Sequence, residues 1–235
     1  MKTRARSLSV SLSLGLLLAV APSFAAPVPP VPRPTEWATR VESTSVNNLY
    51  RIEDGFYRAA QPTAKGFQEL AALGVRCVLD VAGGAGDDAY IEKGSLRLFH
   101  VPMSAFGLRD DRVLQALRIM IDPNNRPLLI HCQQGADRTG AMVALYRVVV
   151  QGWTAEKAVE EMTRGGYHHS SLWKSLETYV LKADGAALRK RLGLKGPLSP
   201  AEATKAAAAG VPGAAPAAAA DAAAATAPES VPQAP

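Results

Sequence analysis

His131-Cys132-Gln133-Gln134-Gly135-Ala136-Asp137-Arg138-Thr139-Gly140 is the stretch of this 235-residue chain that decides how the rest is read. A cysteine precedes an arginine by six positions, with a glycine between them and Thr-Gly behind. Such a segment can wrap backbone N–H groups around a phosphoryl group and set a thiolate at the floor of the cradle. Pro127 to Ile130 reads as a short buried strand ending at His131, and Thr139 to Val150 as an apolar helix that starts straight after the loop. Strand, loop and helix N-terminus in that order make an anion site.

Each residue type has a chemical reason to be there. Gln133, Gln134, Gly135, Ala136, Asp137 and Arg138 would supply the phosphate-binding backbone, with Gly135 permitting the tight approach. The planar fork of Arg138 can grip two oxygens at once, which a lysine could not do. Cys132 is the nucleophile candidate, because a helix N-terminus and a guanidinium favour its thiolate. Thr139 can donate to the sulfur when it leaves, and His131 is expected to hold the loop by bonding to neighbouring backbone. The chain has four His and two Cys, and the adjacent His168-His169 lack the i, i+4 spacing of paired ligands on a helix. No metal and no organic cofactor is expected.

The segment resembles the signature of the cysteine-dependent protein tyrosine phosphatases, on the dual-specificity side. The resemblance extends to Leu49-Tyr50-Arg51, Phe56-Tyr57-Arg58-Ala59-Ala60-Gln61-Pro62, the run from Leu145 to Trp153, and Glu161 to Tyr167. It covers roughly residues 45 to 185 and is similar to secreted bacterial members. It implies hydrolysis of phosphoric monoesters through a cysteinyl-phosphate intermediate, with a general acid to protonate the leaving oxygen. The family usually places an aspartate on the loop after the strand preceding the catalytic one. Here Phe106 stands where that acid is expected, and Asp110 and Asp111 follow it. Those two also suit the first turn of a helix, where its dipole favours them. Asp137, inside the loop beside Arg138, is the other candidate, as in lipid phosphatases with a similar Gly-x-Asp-Arg-Thr loop. The expected order is Asp137, then Asp110, then Asp111.

The ends differ in kind from the middle. Lys2, Arg4 and Arg6 precede an apolar run from Leu8 to Ala21, and Ser23 and Ala25 offer the small residues of a cleavage site. Residues 1–25 are therefore expected to be a signal peptide cleaved after Ala25, placing the mature protein in the periplasm or outside the cell. The run is short for a membrane span, so no stable insertion is expected after cleavage. Loss of the leader lowers the net charge from +5 to +2, and no Lys/Arg block argues for nucleic acid. Residues 26–44 read as a stiff Pro-rich linker and 196–235 as a disordered Ala/Pro-rich tail. One domain is expected over 45–195.

Within it, strands are expected at Phe56–Ala60, Val75–Ala82 and Leu96–Val101, besides the one before the signature loop. Helices are expected at Ala64–Leu73, Arg109–Ile121, Ala155–Arg164, Ser171–Leu181 and Ala187–Leu192. Alternating strands and helices imply an α/β domain with a central, mostly parallel sheet flanked by helices. Loop 83–88 leaves a strand at the same end as the signature loop and is expected to line the cleft. Cys77 falls on a buried strand, and a bridge to Cys132 would silence the thiolate.

The leading functional reading is a phosphatase for phosphotyrosine, extending to phosphoserine and phosphothreonine, on phosphorylated proteins such as the periplasmic domain of a membrane protein. A second reading is an inositol-phosphate or phospholipid phosphatase, and a third a phosphate-binding pseudophosphatase. The Asp-Arg-Thr-Gly run leans toward the second. The lack of lysine at positions 133, 134 and 136, where polyphosphate-specific members carry it, leans away.

Overall fold

The computed structural model describes residues 33–83, 86–91 and 95–197. The expected signal peptide, the linker up to residue 32 and the tail from 198 lie outside the described residues. Six strands, β1 (Thr39–Arg40), β2 (Tyr50–Glu53), β3 (Phe56–Ala60), β4 (Cys77–Asp80), β5 (Arg97–His100) and β6 (Leu128–Cys132), form one sheet in the order β1-β2-β3-β6-β4-β5. β3, β6, β4 and β5 run parallel, and β2 and β1 add antiparallel strands beyond β3.

The central strand β6 is buried at all five positions of Leu-Leu-Ile-His-Cys, as expected of a parallel strand covered on both faces. Its side chains alternate. Leu129 packs with Phe67 and Leu70 of α1 (Ala64–Ala72), the one α-helix on its side among the described residues. Leu128, Ile130 and Cys132 join the larger core under α2 (Asp110–Ile121), α3 (Asp137–Val149), α4 (Ala155–Arg164), α5 (Lys174–Leu181) and α6 (Gly185–Leu192). α3 is buried at every position except Arg138. A helix surrounded on all sides has no polar stripe to keep in water, which is why TGAMVALYRVVV is mostly apolar, its one charge, Arg147, being buried against Glu161.

The strands expected at Val75–Ala82 and Leu96–Val101 are shorter. The helix expected over Ser171–Leu181 begins at Lys174 after a short 3-10 turn, and the last helix begins two residues early at Gly185. Three further differences bear on the site. β6 runs on through His131 and Cys132 because both are still paired, with Ala59 and Ala60 of β3. α3 begins at Asp137 rather than Thr139, since Gly140 N–H already donates to Ala136 O at 2.9 Å and closes a first turn there. The expected linker 26–44 is too long at its C-terminal end: Trp37 and Ala38 are buried, and β1 pairs with β2. That error has a physical cause. Pro-rich segments are stiff but not barred from packing, and Trp37 has apolar area to bury.

The register also settles the cysteines. Cys77 lies opposite Leu128, four residues before Cys132. At about 3.3 Å per residue this separates them by roughly 13 Å along the strands, beyond disulfide reach. Both are free thiols, and burial raises the pKa of Cys77.

Candidate active site

The signature loop leaves the carboxyl end of β6 between β3 and β4, where parallel sheets place ligands. Its backbone is oriented by what holds its carbonyls. Gln133 O accepts from Gln61 N–H at 3.2 Å, and Gln134 O from Asn48 Nδ2 at 2.9 Å. Gly135 O accepts from Arg58 Nη2 at 2.7 Å, with Ala136 O at 3.4 Å from the same nitrogen. Four successive carbonyls are thus tied to the surrounding scaffold. Their N–H groups, and those of the first turn of α3, which have no intrahelical acceptor, are left for an anion. Gly135 has φ +67°, and a Cβ there would lie 2.2 Å from Ala59 O and 2.5 Å from Ala60 N. Only glycine fits against β3 at that point.

Cys132 sits at the base of this turn, 2% exposed. Gln133 and Gln134 turn their side chains to solvent, while Ala136 is buried. Arg138 is half-buried and its Nη1 reaches Met103 O at 3.5 Å. Thr139 Oγ1 is buried and has no hydrogen-bond partner among the described residues, so its proton is available. Asp137 is 7% exposed. Its Oδ1 accepts from Ser170 N–H at 2.9 Å and lies 2.8 Å from His169 Nδ1. His169 in turn contacts Glu177 Oε1 at 3.1 Å. With Oδ1 so occupied, a proton passed by Asp137 would ride on Oδ2.

The structure brings His131, Cys132, Gly135, Asp137, Arg138 and Thr139 together and leaves Asp110 outside. Tyr179 OH donates to Asp110 Oδ1 at 2.6 Å, with Arg191 4.0 Å away. These three line a groove of about 490 Å³ between α2, α5 and α6 to which none of residues 131–139 contributes. Asp111 binds Arg109. Both acids occupy the first turn of α2. Phe106 is 81% exposed and stacks edge-on against Trp173, centroids 5.1 Å apart.

His131 does not bond to neighbouring backbone as expected. It is fully buried with Nε2 2.8 Å from Asp87 Oδ2 and Nδ1 4.0 Å from Asp80 Oδ1. Burial pushes the Asp87 carboxyl up, but the hydrogen bond and charge of His131 outweigh it and hold the group below its ordinary value. Burial dominates at Asp80 and raises it. His100 pairs with both Asp80 and Asp88. Asp80, Asp87 and His131 also place three possible metal-ligand atoms within 4.8 Å of one another. Of the loop expected to line the cleft, Asp87 thus meets the signature segment through His131, while residues 84 and 85 lie outside the described residues.

Arg58 is the functional residue that sequence reasoning left without a role. It is 0% exposed, its guanidinium lies 3.7 Å from the Tyr167 ring centroid, and it carries the Gly135 carbonyl. Burial pulls its pKa down, and Tyr167 and Glu161 offset only part of that, leaving it below the ordinary arginine value. Tyr167 OH donates to Glu161 Oε1 at 3.0 Å, and Arg147 clasps both oxygens of Glu161 at 2.8 and 3.0 Å. Burial raises Glu161, but the Arg147 fork more than cancels it and leaves the carboxyl below its usual range. The one signal in the chain was the charge of Arg58 within a strand otherwise free of charge, Phe-Tyr-Arg-Ala-Ala. A charge fully buried in a strand must have partners.

A family profile described as DSP-PTPase phosphatase fused to NAD+ kinase matches residues 30–177. The dual specificity protein phosphatase TpbA of Pseudomonas aeruginosa is 36% identical over 159 residues, which span 67% of this chain and 72% of that protein. A crystal structure of a Cys-to-Ser variant of P. aeruginosa TpbA in complex with pTyr superposes with a TM-score of 0.62 at 33% identity, over 69% of this chain and 99% of that one. The inositol diphosphatase DSP3 of Arabidopsis thaliana is 29% identical over 155 residues, 62% of this chain and 74% of that protein.

Proposed function

The chain belongs to the DSP-PTPase family of the cysteine-dependent protein tyrosine phosphatases, and from that membership we propose that it hydrolyses phosphotyrosine on proteins, with phosphoserine and phosphothreonine as further substrates. The observation that carries the substrate choice is the rim of the cradle. The side chains at 133, 134 and 136 are two glutamines and an alanine, so nothing cationic beyond Arg138 is provided by the loop for extra phosphates. Beside it stand Phe106 and Leu172, 81% and 82% exposed. Their loops are bonded to the cradle, one through Met103 O to Arg138 and the other through Ser170 N to Asp137. Phe106–Trp173 stacking and the Ser175 Oγ to Ala105 O bond join the two loops. An aromatic leaving group meets aromatic edges there.

In this reading the Cys132 thiolate attacks phosphorus in line with the ester oxygen. The inward N–H groups and Arg138 hold the equatorial oxygens, the principal electrostatic contribution. Asp137 protonates the departing phenol. Water then hydrolyses the cysteinyl phosphate, with Thr139 assisting release of the sulfur. The leader sequence supports action in the periplasm or outside the cell after cleavage at Ala25, on protein domains exposed there. N-terminal sequencing of exported protein tests the cleavage: a mature chain starting at Ala26 is expected, and retention of Met1 overturns it.

Turnover of a phosphotyrosyl peptide and of an inositol pyrophosphate, each with and without vanadate, tests the substrate. We expect the peptide to be preferred and Cys132→Ser to lower its turnover at least about a thousand-fold. Preference for the inositol compound would favour the reading that the likeness to DSP3 supports. Vanadate binding without turnover would leave a phosphate-binding pseudophosphatase.

A further inference from the structure

We infer that residues 33–38 are a strap, clamped by Arg33, that positions the phosphate cradle from behind; the inference rests on the cradle function proposed above. Arg33 Nη2 donates to Ala38 O at 2.7 Å and to Tyr167 OH at 2.8 Å, and Nη1 donates to Gly165 O. Its guanidinium lies over three rings, Trp37, Tyr50 and Tyr167, at 5.5, 5.4 and 5.3 Å. The strap is also held by Ala38 N–H, which donates to Glu161 Oε1 at 2.7 Å.

Tyr167 is the link. Arg33 lies over its ring and binds its hydroxyl, while Arg58 stacks on the same ring and carries the carbonyls of Gly135 and Ala136. Tyr50 fixes the ring edge-on at 4.7 Å. The Asn48 amide spans Tyr167 O and Gln134 O, a second tie from the same residue to the cradle. Displacing Arg33 removes one donor from the Tyr167 hydroxyl and one wall of its cage. The stack that fixes Arg58 loosens, and the carbonyl anchoring Gly135 loosens with it. Arg33 is therefore a positioning residue: it acts through Tyr167 and Arg58 and does not touch the phosphoryl group.

The test uses the full chain and binding of vanadate, a mimic of the transition state, measured by calorimetry well below the melting temperature of every variant. Arg33→Gln is expected to weaken vanadate binding about five-fold and to lower kcat on an aryl phosphate similarly, with KM changed less than about two-fold. Glu36→Gln breaks a peripheral tie of the strap, the exposed pair with Lys157 at 3.1 Å, which involves neither Tyr167 nor Arg58, and is expected to leave vanadate binding unchanged. Methylguanidinium is expected to restore part of the loss in Arg33→Ala. Lowered melting temperature with wild-type vanadate affinity in Arg33→Gln would make the strap merely stabilising and overturn the inference. So would equal weakening by Glu36→Gln. A wild-type chain that binds vanadate but turns nothing over leaves this test intact and sinks the hydrolytic reading instead; one that binds no vanadate sinks both.

Discussion

Two loops meet at the site, and they are built in opposite ways. Residues 133–136 are over-determined: successive carbonyls are tied to Gln61, Asn48 and Arg58, and Gly135 is wedged against β3. Residues 102–108 are more lightly held. Met103 is buried and its N–H donates to Val81 O at 3.3 Å. Beyond it the loop has a Ser104–Gly107 bridge, a Ser104 hydroxyl accepting from Phe106 N–H, the Phe106–Trp173 edge contact, and long contacts at 3.5 Å from Arg138 and 3.4 Å from Ser175. Phe106 projects into solvent. The difference teaches where rigidity is needed. A cradle for a transition state works only if its dipoles are already aimed. A loop that meets a variable leaving group can adapt when substrate arrives.

A matched pair of glycine substitutions tests that contrast most severely. Gly135→Ala is expected to cost at least about 3 kcal/mol in urea unfolding, because its Cβ collides with strand backbone at a positive φ. Vanadate binding should vanish with it. Gly107→Ala, with nothing within 4 Å of the added carbon, should stay within about 0.5 kcal/mol of wild type. Equal costs at the two sites would break the comparison.

The supports of the cradle should show in acid. The Glu161 carboxyl is held below its ordinary value in the fold. Its contribution is therefore complete above the unfolded value of about 4.3 and is lost as pH falls through the lower folded one. Asp87, also lowered, adds in the same sense, whereas Asp80, raised by burial, opposes them. Glu161→Gln strips the buried Arg147 of its counter-charge and should cost about 3–5 kcal/mol near neutrality. Its stability should then fall less steeply than wild type between pH 5 and 3, in unfolding curves read at each pH, a window set by roughly the unfolded value. Parallel curves would mean that Glu161 is not a support of the fold.

The smallest effect belongs to the lightly held loop. Phe106→Ala should leave stability within about 0.5 kcal/mol of wild type. It should raise KM for a phosphotyrosyl peptide by roughly five-fold, about 1 kcal/mol, and leave inorganic phosphate inhibition unchanged. A change in phosphate inhibition would show that the two loops are not independent.

The sequence determined what local rules govern. Apolar runs marked β3, β4, β5 and β6, and periodicity marked α1, α2 and α4 nearly to the residue. The spacing of Cys132, Gly135, Arg138 and Thr139 prescribes a cradle because it depends on a single turn between one strand and one helix. The absence of an aspartate at Phe106 and the candidacy of Asp137 were legible only through the family resemblance, since nothing in the local spacing calls for an acid at either position. Tertiary structure alone decided which distant groups hold that turn. Arg58 to Gly135, Asp87 to His131, His169 to Asp137 and Arg33 to Tyr167 are pairs set by chain crossings. No spacing predicts them, because a buried charge needs a partner but its sequence does not say which one. The same holds for Asp110: its residue type allowed it to be an acid, and the packing of α5 and α6 against α2 gave it to Tyr179 instead.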